Sequence, residues 1–433
     1  MLSNDKKEKF GLLGKSLSHS FSPIIHAELA EYVYSYDYTL FEKSPDELEV
    51  FFTQREFKGI NVTIPYKKEV LPYCGSLSNA ALETGSVNTI IKKADEKNPE
   101  KYILHGDNTD CYGFSYLLRK LNFDFSNSKI LVFGDGGSSL AVRTVLLGLG
   151  HKNVITVSRK GPVFYSNVGE HIDAVLLINT TPLGMYPNNG ESVIESLELF
   201  RNCKAVIDLI YNPSKTKLLL MAEENGILAI NGLGMLVAQA KRSSELFTGK
   251  SISEEKIESI CAKISATTQN IILIGMPGCG KTSIGKKLSE IMDREFVDID
   301  EYIKETEKKE AKDIINEEGE EYFRKIETNA LLTVCKRSGI IIASGGGIVT
   351  QNINKPIIKQ NGIVIYLNRD ISLLSVEGRP LSLKEGLASL AEKRLPLYSE
   401  WSDITLDVTE INETALIVKS KFLELINDRW KQI

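Results

Sequence analysis

The sequence lacks an excess of basic residues. Its 433 residues include 52 Lys and Arg against 57 Asp and Glu, which gives a formal net charge of −5 at pH 7. Proteins that bind nucleic acids usually carry a basic patch, so this balance argues against a nucleic-acid partner. We therefore expect the chain to act on small molecules.

Long apolar runs and paired cysteines are also missing. No run approaches the roughly 20 apolar residues that a membrane-spanning helix needs, and the first residues, MLSNDKKEKF, contain no apolar signal-peptide core. The cysteines are far apart and form no C-x-x-C motif, which argues against a zinc site and a disulfide framework. They are Cys74, Cys111, Cys203, Cys261, Cys279 and Cys335. We expect a cytoplasmic protein with no membrane partner.

Short apolar runs that end in glycine-rich or polar turns recur along the chain. Amphipathic stretches alternate with them, a pattern that predicts α/β units with parallel sheets. The runs are KILVFGDGGSS, NVITVSRK, AVLLINTTPLG, KAVIDLIYNP, NIILIGMPGCG and GIIIASGGG. Ligands of such sheets bind at the carboxyl ends of the strands, where these turns lie.

The length predicts two to four domains, at roughly 100 to 200 residues each. Apolar residues at helical spacing end at Ile264 and precede a short polar stretch. We therefore expect a first unit at residues 1–264, a linker at 265–269 and a second unit at 270–433.

A glycine loop follows the first of these runs and is typical of dinucleotide binding. Its glycines let a backbone approach a pyrophosphate, which the next helix N-terminus also attracts. Ser139 stands where a third glycine is usual, and the loop glycines are Gly134, Gly136 and Gly137. The next strand ends in Ser158, Arg159 and Lys160. Two cations suit a 2′-phosphate and favour NADP over NAD, although a solvated basic strand end would look the same.

Polar residues upstream of this loop have ordinary structural explanations. Ser22 is a good helix N-cap, with Pro23 at the first helical position, and Asp110 precedes a helical stretch that it could cap. Two hydroxyls at Ser20 and Ser22 could equally donate to one carboxylate. Other candidates from this region are Asn61, Thr63, Lys67 and Asn88.

Taken together, residues 10–260 resemble the shikimate dehydrogenases, which reduce 3-dehydroshikimate to shikimate with NADPH. The matching runs, in the family's order, are HSFSP, NVTIPYK, GSVNT, GDNTD, GDGGS, NTTPLGM, DLIYNPSKT and GLGMLVAQA. The resemblance implies a substrate domain at about residues 1–108 and 232–264, and a Rossmann-like NADP domain at 109–231.

The same resemblance implies roles for single residues. Lys67 would donate and accept the proton at the reacting hydroxyl, and Asp110 would be its partner. The implied substrate-binding residues are Ser20, Ser22, Asn61, Thr63, Asn88, Tyr211 and Gln239. The implied NADP-binding residues are Gly134, Asp135, Gly136, Gly137, Ser138, Ser158, Arg159, Lys160, Leu209 and Gly232. Cys111 departs from the family's usual glycine, which puts the local backbone in question, and SRK replaces the more usual NRT.

GMPGCGKT, from Gly275 to Thr282, has the G-x-x-x-x-G-K-[ST] pattern of a phosphate-binding loop between a strand and a helix. Backbone N–H groups would cradle phosphate, Lys281 would reach the terminal phosphates, and the Thr282 hydroxyl would bind magnesium. Cys279 is more typical of a small filler than of a reactive thiol. The candidate ATP-binding residues of this loop are Gly278, Cys279, Gly280, Lys281, Thr282 and Ser283.

Further motifs accompany this loop. Asp298 and Asp300 place two carboxylates on one side of a predicted strand end, where one could hold magnesium and the other an acceptor hydroxyl. Arg324 lies in an acidic helical stretch, where a solvated ion pair would be the ordinary explanation. Three glycines of ASGGGIV permit close backbone approach to a ligand. RPL and RLPLY add Arg379 and Arg394.

Residues 270–433 resemble the shikimate kinases, which are P-loop enzymes with a parallel sheet of the nucleoside monophosphate kinase type. The resemblance implies that Arg324 and Arg394 clamp the shikimate carboxylate, a task that suits bidentate guanidinium groups. It also implies that Asp300 and Gly346 orient the hydroxyls, that Asp298 joins Thr282 at Mg²⁺, and that Arg379 binds ATP from a mobile lid and stabilises the transferring phosphoryl group. The segment from Arg379 to Arg394 is a few residues shorter than usual.

The two resemblances name the same intermediate, so we expect a bifunctional enzyme that uses NADPH and Mg-ATP. Two alternatives remain for the second unit: a kinase that acts on another hydroxy acid, and a regulatory domain that only binds ATP. The motifs indicate no particular oligomeric state, domain arrangement or channelling of shikimate.

Overall fold

The computed structural model of the chain describes residues 9–17, 20–34, 36–95, 98–374 and 386–432. Arg379 lies outside these described residues. The described chain contains three sheets of six, five and five strands. Helices follow most strands, so the predicted α/β class is confirmed.

The first sheet is mixed, with strand order β2-β1-β3-β5-β6-β4. Its strands are β1 (Lys9–Gly14), β2 (Asp37–Glu42), β3 (Gly59–Val62), β4 (Ser76–Leu77), β5 (Thr89–Asp95) and β6 (Asn98–Asp107). The helices of this part are α1 (Ser22–Val33), α2 (Leu48–Gln54) and α3 (Asn79–Thr84). β1 runs parallel to β2 and β3, whereas β5 pairs antiparallel with β3 and β6.

The second sheet is wholly parallel, with strand order β11-β10-β9-β7-β8. Its strands are β7 (Ile130–Phe133), β8 (Val154–Val157), β9 (Leu176–Asn179), β10 (Ala205–Asp208) and β11 (Leu228–Asn231). The accompanying helices are α4 (Thr109–Arg119), α5 (Gly137–Gly148), α6 (Lys217–Glu224), α7 (Leu233–Thr248) and α8 (Glu255–Thr268). β7, β9 and β10 are buried along their whole length, as expected for parallel strands covered on both faces. Because α7 packs on α4 and α1, it returns the chain to the first sheet.

The third sheet is also parallel, with strand order β13-β14-β12-β15-β16. Its strands are β12 (Asn270–Ile274), β13 (Phe296–Asp298), β14 (Ile341–Ala343), β15 (Gly362–Asn368) and β16 (Ile404–Asp407). The helices are α9 (Lys281–Met292), α10 (Ile299–Glu307), α11 (Ala311–Glu318), α12 (Glu320–Val334), α13 (Asn354–Lys359), α14 (Leu387–Trp401) and α15 (Ile411–Gln432). Across the described ranges, no helix combines the length and apolarity needed to cross a membrane.

We call the part with the first two sheets the N-terminal unit and the part with the third sheet the C-terminal unit. The expected linker at residues 265–269 is wrong, because α8 continues to Thr268 and β12 begins at Asn270. The small polar residues fit the helix because their hydroxyls are hydrogen-bonded. The Thr268 hydroxyl donates to the carbonyl of Ile264 at 2.8 Å, and Ser265 Oγ accepts from Trp430 Nε1 at 2.9 Å. The helix therefore leads almost directly into the next strand.

Candidate active sites

The N-terminal unit contains a cavity of about 290 Å³ between β1, β3, α1 and α7. All seven candidate substrate-binding residues line it, together with Lys67. They are Ser20, Ser22, Asn61, Thr63, Asn88, Tyr211 and Gln239. The structure thus brings together residues that are up to 219 positions apart, since the set runs from Ser20 to Gln239.

Lys67 and Asp110 form an ion pair at this cavity, with 2.7 Å between Nζ and Oδ2. The loop after β3 carries Lys67, and its carbonyl accepts a hydrogen bond from the N–H of Val87 at 2.7 Å. Asn88 Nδ2 donates to the second carboxylate oxygen of Asp110 at 2.9 Å. Asn108, not Asp110, caps α4. The Asp110 side chain is therefore free of the capping role and holds the lysine instead.

Asn61 is held by a network that the sequence did not indicate. Its Oδ1 accepts from the Tyr38 hydroxyl at 2.7 Å, and its Nδ2 donates to Ser243 Oγ at 2.7 Å and to Thr89 Oγ1 at 3.0 Å. Burial raises the pKa of Tyr38, which keeps this hydroxyl protonated. Ser243 also lines the cavity.

His26 lines the same cavity and is 1% exposed. Its ring stacks on Tyr38 with 3.9 Å between centroids, and its Nδ1 lies 2.8 Å from the Tyr36 hydroxyl. Burial lowers the pKa of His26 to about 3, so the ring is uncharged at neutral pH. The only sequence signal for it was its place on the buried face of α1.

The predicted N-cap at Ser22 is wrong by one residue. Phe21 is the N-cap, with no side-chain capping bond, and α1 begins at Ser22. The hydroxyl of Ser20 instead accepts from the N–H of Ser22 at 3.2 Å. Both serines line the cavity.

The glycine loop after β7 lies at the carboxyl edge of the second sheet. Gly134 has φ +106°, and a Cβ on it would lie 2.6 Å from Thr180 Oγ1. A Cβ added at Gly136 or Gly137 would meet no atom within 4 Å, so the N-terminus of α5 is open. The Ser139 hydroxyl donates to the carbonyl of Gly134 at 2.7 Å and so ties the loop together. This explains how a serine replaces the third glycine.

Two further groups of candidate cofactor residues lie along this edge. Ser158 ends β8 in a buried position, while Arg159 and Lys160 are exposed. Leu209 and Gly232 approach so closely that a Cβ on the glycine would lie 1.9 Å from the leucine carbonyl oxygen. The edge therefore has exposed cations, and glycines whose missing side chains let a ligand approach the backbone. A phosphorylated dinucleotide would need both features. Asp135 lies in the glycine loop, and Ser138 lies in the first turn of α5.

The C-terminal unit contains a larger cavity, of about 860 Å³. Every described candidate residue of this unit lines it except Cys279, whose side chain is fully buried beneath the loop. The lining candidates are Gly278, Gly280, Lys281, Thr282, Ser283, Asp298, Asp300, Arg324, Gly346 and Arg394.

The phosphate-binding loop has the backbone that its glycines permit. Gly275, Gly278 and Gly280 all have positive φ angles, of 146°, 83° and 107°. Lys281 Nζ donates to the carbonyls of Gly275 and Met276 at 2.9 and 3.1 Å, so the ammonium lies over the loop.

Thr282 and Asp298 meet at the mouth of this loop, with 2.7 Å between Oγ1 and Oδ2. Asp298 also caps α10, because its Oδ1 accepts from the N–H of Asp300 at 3.0 Å. Placing Asp300 on the strand was therefore wrong: it belongs to the first turn of α10. Both carboxylates still face the cavity.

Arg324 is 6% exposed and is held by two carboxylates rather than solvated. Its Nη1 donates to Glu327 and its Nη2 to Glu320, both at 2.8 Å. Glu327 is fully buried and lines the cavity, and burial raises its pKa. A Cβ on Gly347 would lie 2.2 Å from both terminal nitrogens of Arg324, so only glycine leaves room for this guanidinium.

Arg394 stands beside the same glycine segment. Its Nη1 donates to the carbonyl of Gly346 at 3.3 Å, and Tyr398 donates to the same oxygen. Arg369, which the sequence did not single out, also lines the cavity. The cavity thus combines a phosphate loop with five carboxylates and three arginines.

Comparison with known proteins gives a family match in each unit. Residues 12–90 match the family model of the shikimate dehydrogenase substrate binding domain. The shikimate dehydrogenase (NADP(+)) of Clostridium perfringens strain SM101 is 35% identical over 278 residues, which covers 58% of this chain and 96% of that protein. The chain belongs to the shikimate dehydrogenase family. An archaeal relative, the shikimate dehydrogenase (NADP(+)) of Methanococcus aeolicus, is 33% identical over 57% of this chain and 94% of its own length.

Solved structures agree with this assignment for the shikimate dehydrogenase part. A chorismate mutase/shikimate 5-dehydrogenase fusion protein from Clostridium acetobutylicum is 33% identical, with a TM-score of 0.55, and the match covers 60% of this chain and 97% of that chain. The Thermus thermophilus enzyme in complex with NADP(H) and shikimate is 27% identical, with a TM-score of 0.52 over 59% and 99% of the two chains. Residues 277–426 match the shikimate kinase family model.

The departure at Cys111 leaves the shikimate dehydrogenase fold undisturbed. Cys111 is the third residue of α4, and the helix is regular through Arg119. Burial raises the pKa of its thiol to about 12, so it stays protonated and serves as packing.

Proposed function

We propose that this chain catalyses two consecutive reactions, the NADPH-dependent reduction of 3-dehydroshikimate to shikimate and the Mg-ATP-dependent phosphorylation of shikimate to shikimate 3-phosphate. The observation that carries the proposal is the pairing of two sites on one chain. One has the Lys67–Asp110 ion pair in a polar cavity, and the other places buried Arg324 and Arg394 opposite a phosphate-binding loop. The matches to both families support it.

In the reduction, bound NADPH would supply a hydride to the ketone carbon, which would leave an alkoxide at the ketone oxygen. Lys67 donates the proton that turns this alkoxide into the hydroxyl, and Asp110 keeps the ammonium pointed at that oxygen. Solvent then returns the proton to the lysine. Ser20, Ser22 and Tyr211 bind the substrate carboxylate through hydroxyl donors, and the amides of Asn61, Asn88 and Gln239 bind its hydroxyls together with Thr63.

NADPH is held along the carboxyl edge of the second sheet. The open N-terminus of α5 takes the pyrophosphate with N–H groups from Gly136 to Ser138, and Arg159 with Lys160 pairs with the 2′-phosphate. Leu209 and Gly232 would hold the nicotinamide. The exposed cations and the close backbone approach fit this cofactor.

In the phosphoryl transfer, the shikimate carboxylate binds the guanidinium groups of Arg324 and Arg394. Asp300 accepts a hydrogen bond from the acceptor hydroxyl and orients it, with Gly346 beside it. Lys281 leaves its loop carbonyls to neutralise charge on the transferring phosphoryl group. Arg379, outside the described residues, is proposed to assist there.

Bound Mg²⁺ would neutralise phosphate charge in this site. Thr282 and Asp298 would hold it, since hydroxyl and carboxylate oxygens are ligands that Mg²⁺ prefers. Their adjacent oxygens at the mouth of the loop fit the ion.

The proposal places the first activity in residues 1–264, with the cofactor domain at about 109–231, and the second in residues 270–433. A cytoplasmic location belongs to it, since all six cysteines are free thiols, as in a reducing compartment.

The test measures each half separately. Purified protein with 3-dehydroshikimate and NADPH, but no ATP, is expected to oxidise NADPH and release shikimate. The same protein with shikimate and Mg-ATP is expected to release ADP and shikimate 3-phosphate. NADPH oxidation without any phosphorylated product would contradict the bifunctional proposal. It would indicate that the C-terminal unit only binds ATP, as a regulatory domain. Gluconate and quinate serve as alternative acceptors.

A further inference from the structure

The C-terminal unit docks on the N-terminal unit through the turn that enters β15. Gln360 and Asn361 form this turn, and each is 4% exposed. The carbonyl of Gln360 accepts a hydrogen bond from the N–H of Lys215 at 2.8 Å. Asn361 Oδ1 accepts from the N–H of Ser214 at 3.4 Å. Both donors belong to the loop of residues 209–216, which follows β10.

The Gln360 side chain makes a second contact with the N-terminal unit. Its Nε2 donates to the carbonyl of Asn189 at 2.7 Å, and its Oε1 accepts from Nδ2 of the same asparagine. Asn189 is 8% exposed. A buried pair of amides that satisfy each other favours one geometry, because any slip of the interface would leave polar groups without partners.

The docked loop carries two residues of the proposed dehydrogenase site, Leu209 and Tyr211. Its base is fixed within the N-terminal unit by Asp208, whose carboxylate accepts from the N–H of Ile210 at 3.1 Å and from the Thr216 hydroxyl at 2.7 Å. At the tip, residues 212–215, the N–H groups of Ser214 and Lys215 bond to the C-terminal unit, while the Ser214 carbonyl accepts from Asn231 Nδ2 of the N-terminal unit at 2.9 Å. Tyr211 therefore lies between an internal anchor and an anchor supplied by the other unit.

We propose that Gln360 and Asn361 are positioning residues for the reduction. Asn361 Oδ1 and the Gln360 carbonyl hold the loop of residues 209–216, which carries Tyr211, and the Gln360 side chain fixes their turn against Asn189. The inference rests on the proposed dehydrogenase activity. It makes the C-terminal unit a structural component of the first active site, independent of whether ATP is bound.

The test replaces Gln360 by Ala in the full-length protein. Losing a buried hydrogen-bonded pair is expected to raise KM for 3-dehydroshikimate roughly 5- to 10-fold with little change in kcat. Phosphoryl transfer to shikimate stays at the wild-type rate, which shows that the C-terminal unit is folded. Lys355→Ala is the matched control on α13, because its ammonium pairs with Glu400 at 2.6 Å within the same unit, and it leaves KM unchanged.

Asn189→Ala removes one of the two bonds between Asn189 and Gln360, because the Asn189 backbone carbonyl still accepts from Gln360 Nε2, and is expected to raise KM less than Gln360→Ala does. The double variant should be no worse than Gln360→Ala alone, because Gln360→Ala already removes both bonds. If Gln360→Ala abolishes phosphoryl transfer, Gln360→Glu keeps the acceptor and removes only the donor. KM within twofold of wild type in the folded variants would overturn the inference alone. Absence of reduction by the wild-type protein would instead overturn the proposed function, and this inference with it.

Discussion

Lys67 Nζ lies 2.7 Å from Oδ2 of Asp110, while Oδ1 of the same carboxylate accepts a hydrogen bond from Asn88. The three residues come from the loop after β3, the segment before β5 and the first turn of α4. Because Asn88 orients the Asp110 carboxylate through one oxygen, the other oxygen can orient the Lys67 ammonium. The lysine therefore faces the cavity in a single orientation, which its proposed role as proton donor requires.

Replacing Lys67 by Ala should abolish reduction while leaving phosphorylation intact. Without the proton donor, kcat for NADPH oxidation is expected to fall by about 10² to 10⁴. Lys68→Ala is the control, because that neighbouring side chain is exposed. Equal loss of phosphoryl transfer in Lys67→Ala would contradict independent sites.

Replacing Lys281 by Ala should have the opposite pattern. The ammonium that lies over the phosphate loop is lost, and ATP-dependent phosphorylation is expected to fall by roughly 10² to 10³. NADPH oxidation stays unchanged. Lys287→Ala, on the same helix with its ammonium paired to Glu290, should retain both activities. Retained phosphorylation in Lys281→Ala would contradict the assignment of the loop.

Gly347→Ala should weaken shikimate binding at the kinase site. The added Cβ would meet the Arg324 guanidinium, which cannot retreat without breaking its bonds to Glu320 and Glu327. Losing one charge-assisted contact is expected to raise KM for shikimate roughly 10-fold. Gly148→Ala, where nothing lies within 4 Å, is the control. An unchanged KM would mean that Arg324 does not bind this substrate.

Arg159→Ala should reduce the preference for NADPH over NADH. A charge-assisted contact to the 2′-phosphate contributes about 1.5 to 3 kcal/mol, so the ratio of the two kcat/KM values is expected to fall about 10- to 100-fold. Lys152→Ala, an exposed lysine before β8, should leave the ratio unchanged. A fall in kcat/KM for both cofactors alike would argue against recognition of the 2′-phosphate.

Asp208 should give the protein a measurable pH dependence of stability. Burial raises the pKa of this carboxyl to about 6, from an ordinary 3.8. The folded state therefore binds the proton more tightly than the unfolded state, so this contribution to stability is complete below pH 3.8 and is lost as pH rises through 6. Between pH 5 and 7 the wild type should lose on the order of 1 kcal/mol relative to Asp208→Asn, measured by urea unfolding. The same pH dependence of the free energy of unfolding in both proteins would contradict the raised pKa of Asp208.

The sequence predicted those parts of the fold whose signals are local. Buried strands such as ILVF and NIILI, and the glycine turns after them, depend on residues that are neighbours in the chain. Element boundaries were less predictable, because Ser22 lies only one residue after the N-cap of α1 and Asp300 only two residues after the end of β13. The polar helix end near Ser265 looked like a linker because its partner, Trp430, is 165 residues away.

Partnerships in the interior could not be predicted in the same way. Nothing adjacent to Glu327 indicates that it is fully buried, and only the packing of α12 against the glycine segment brings it to the cavity. The contact of Asn189 with Gln360 joins residues 171 positions apart. Such pairs follow from tertiary packing, whereas the family motifs identify the residues that face the ligands.

The most direct test of the central claim, that one chain performs both reactions in sequence, is isotopic. The protein is supplied with 3-dehydroshikimate, NADPH deuterated at C4, and Mg-ATP carrying ¹⁸O in the γ-phosphoryl group, and the products are analysed by mass. The predicted product is shikimate 3-phosphate that carries both the deuterium and the heavy oxygens in one molecule. Deuterated shikimate with no phosphorylated product would contradict the claim.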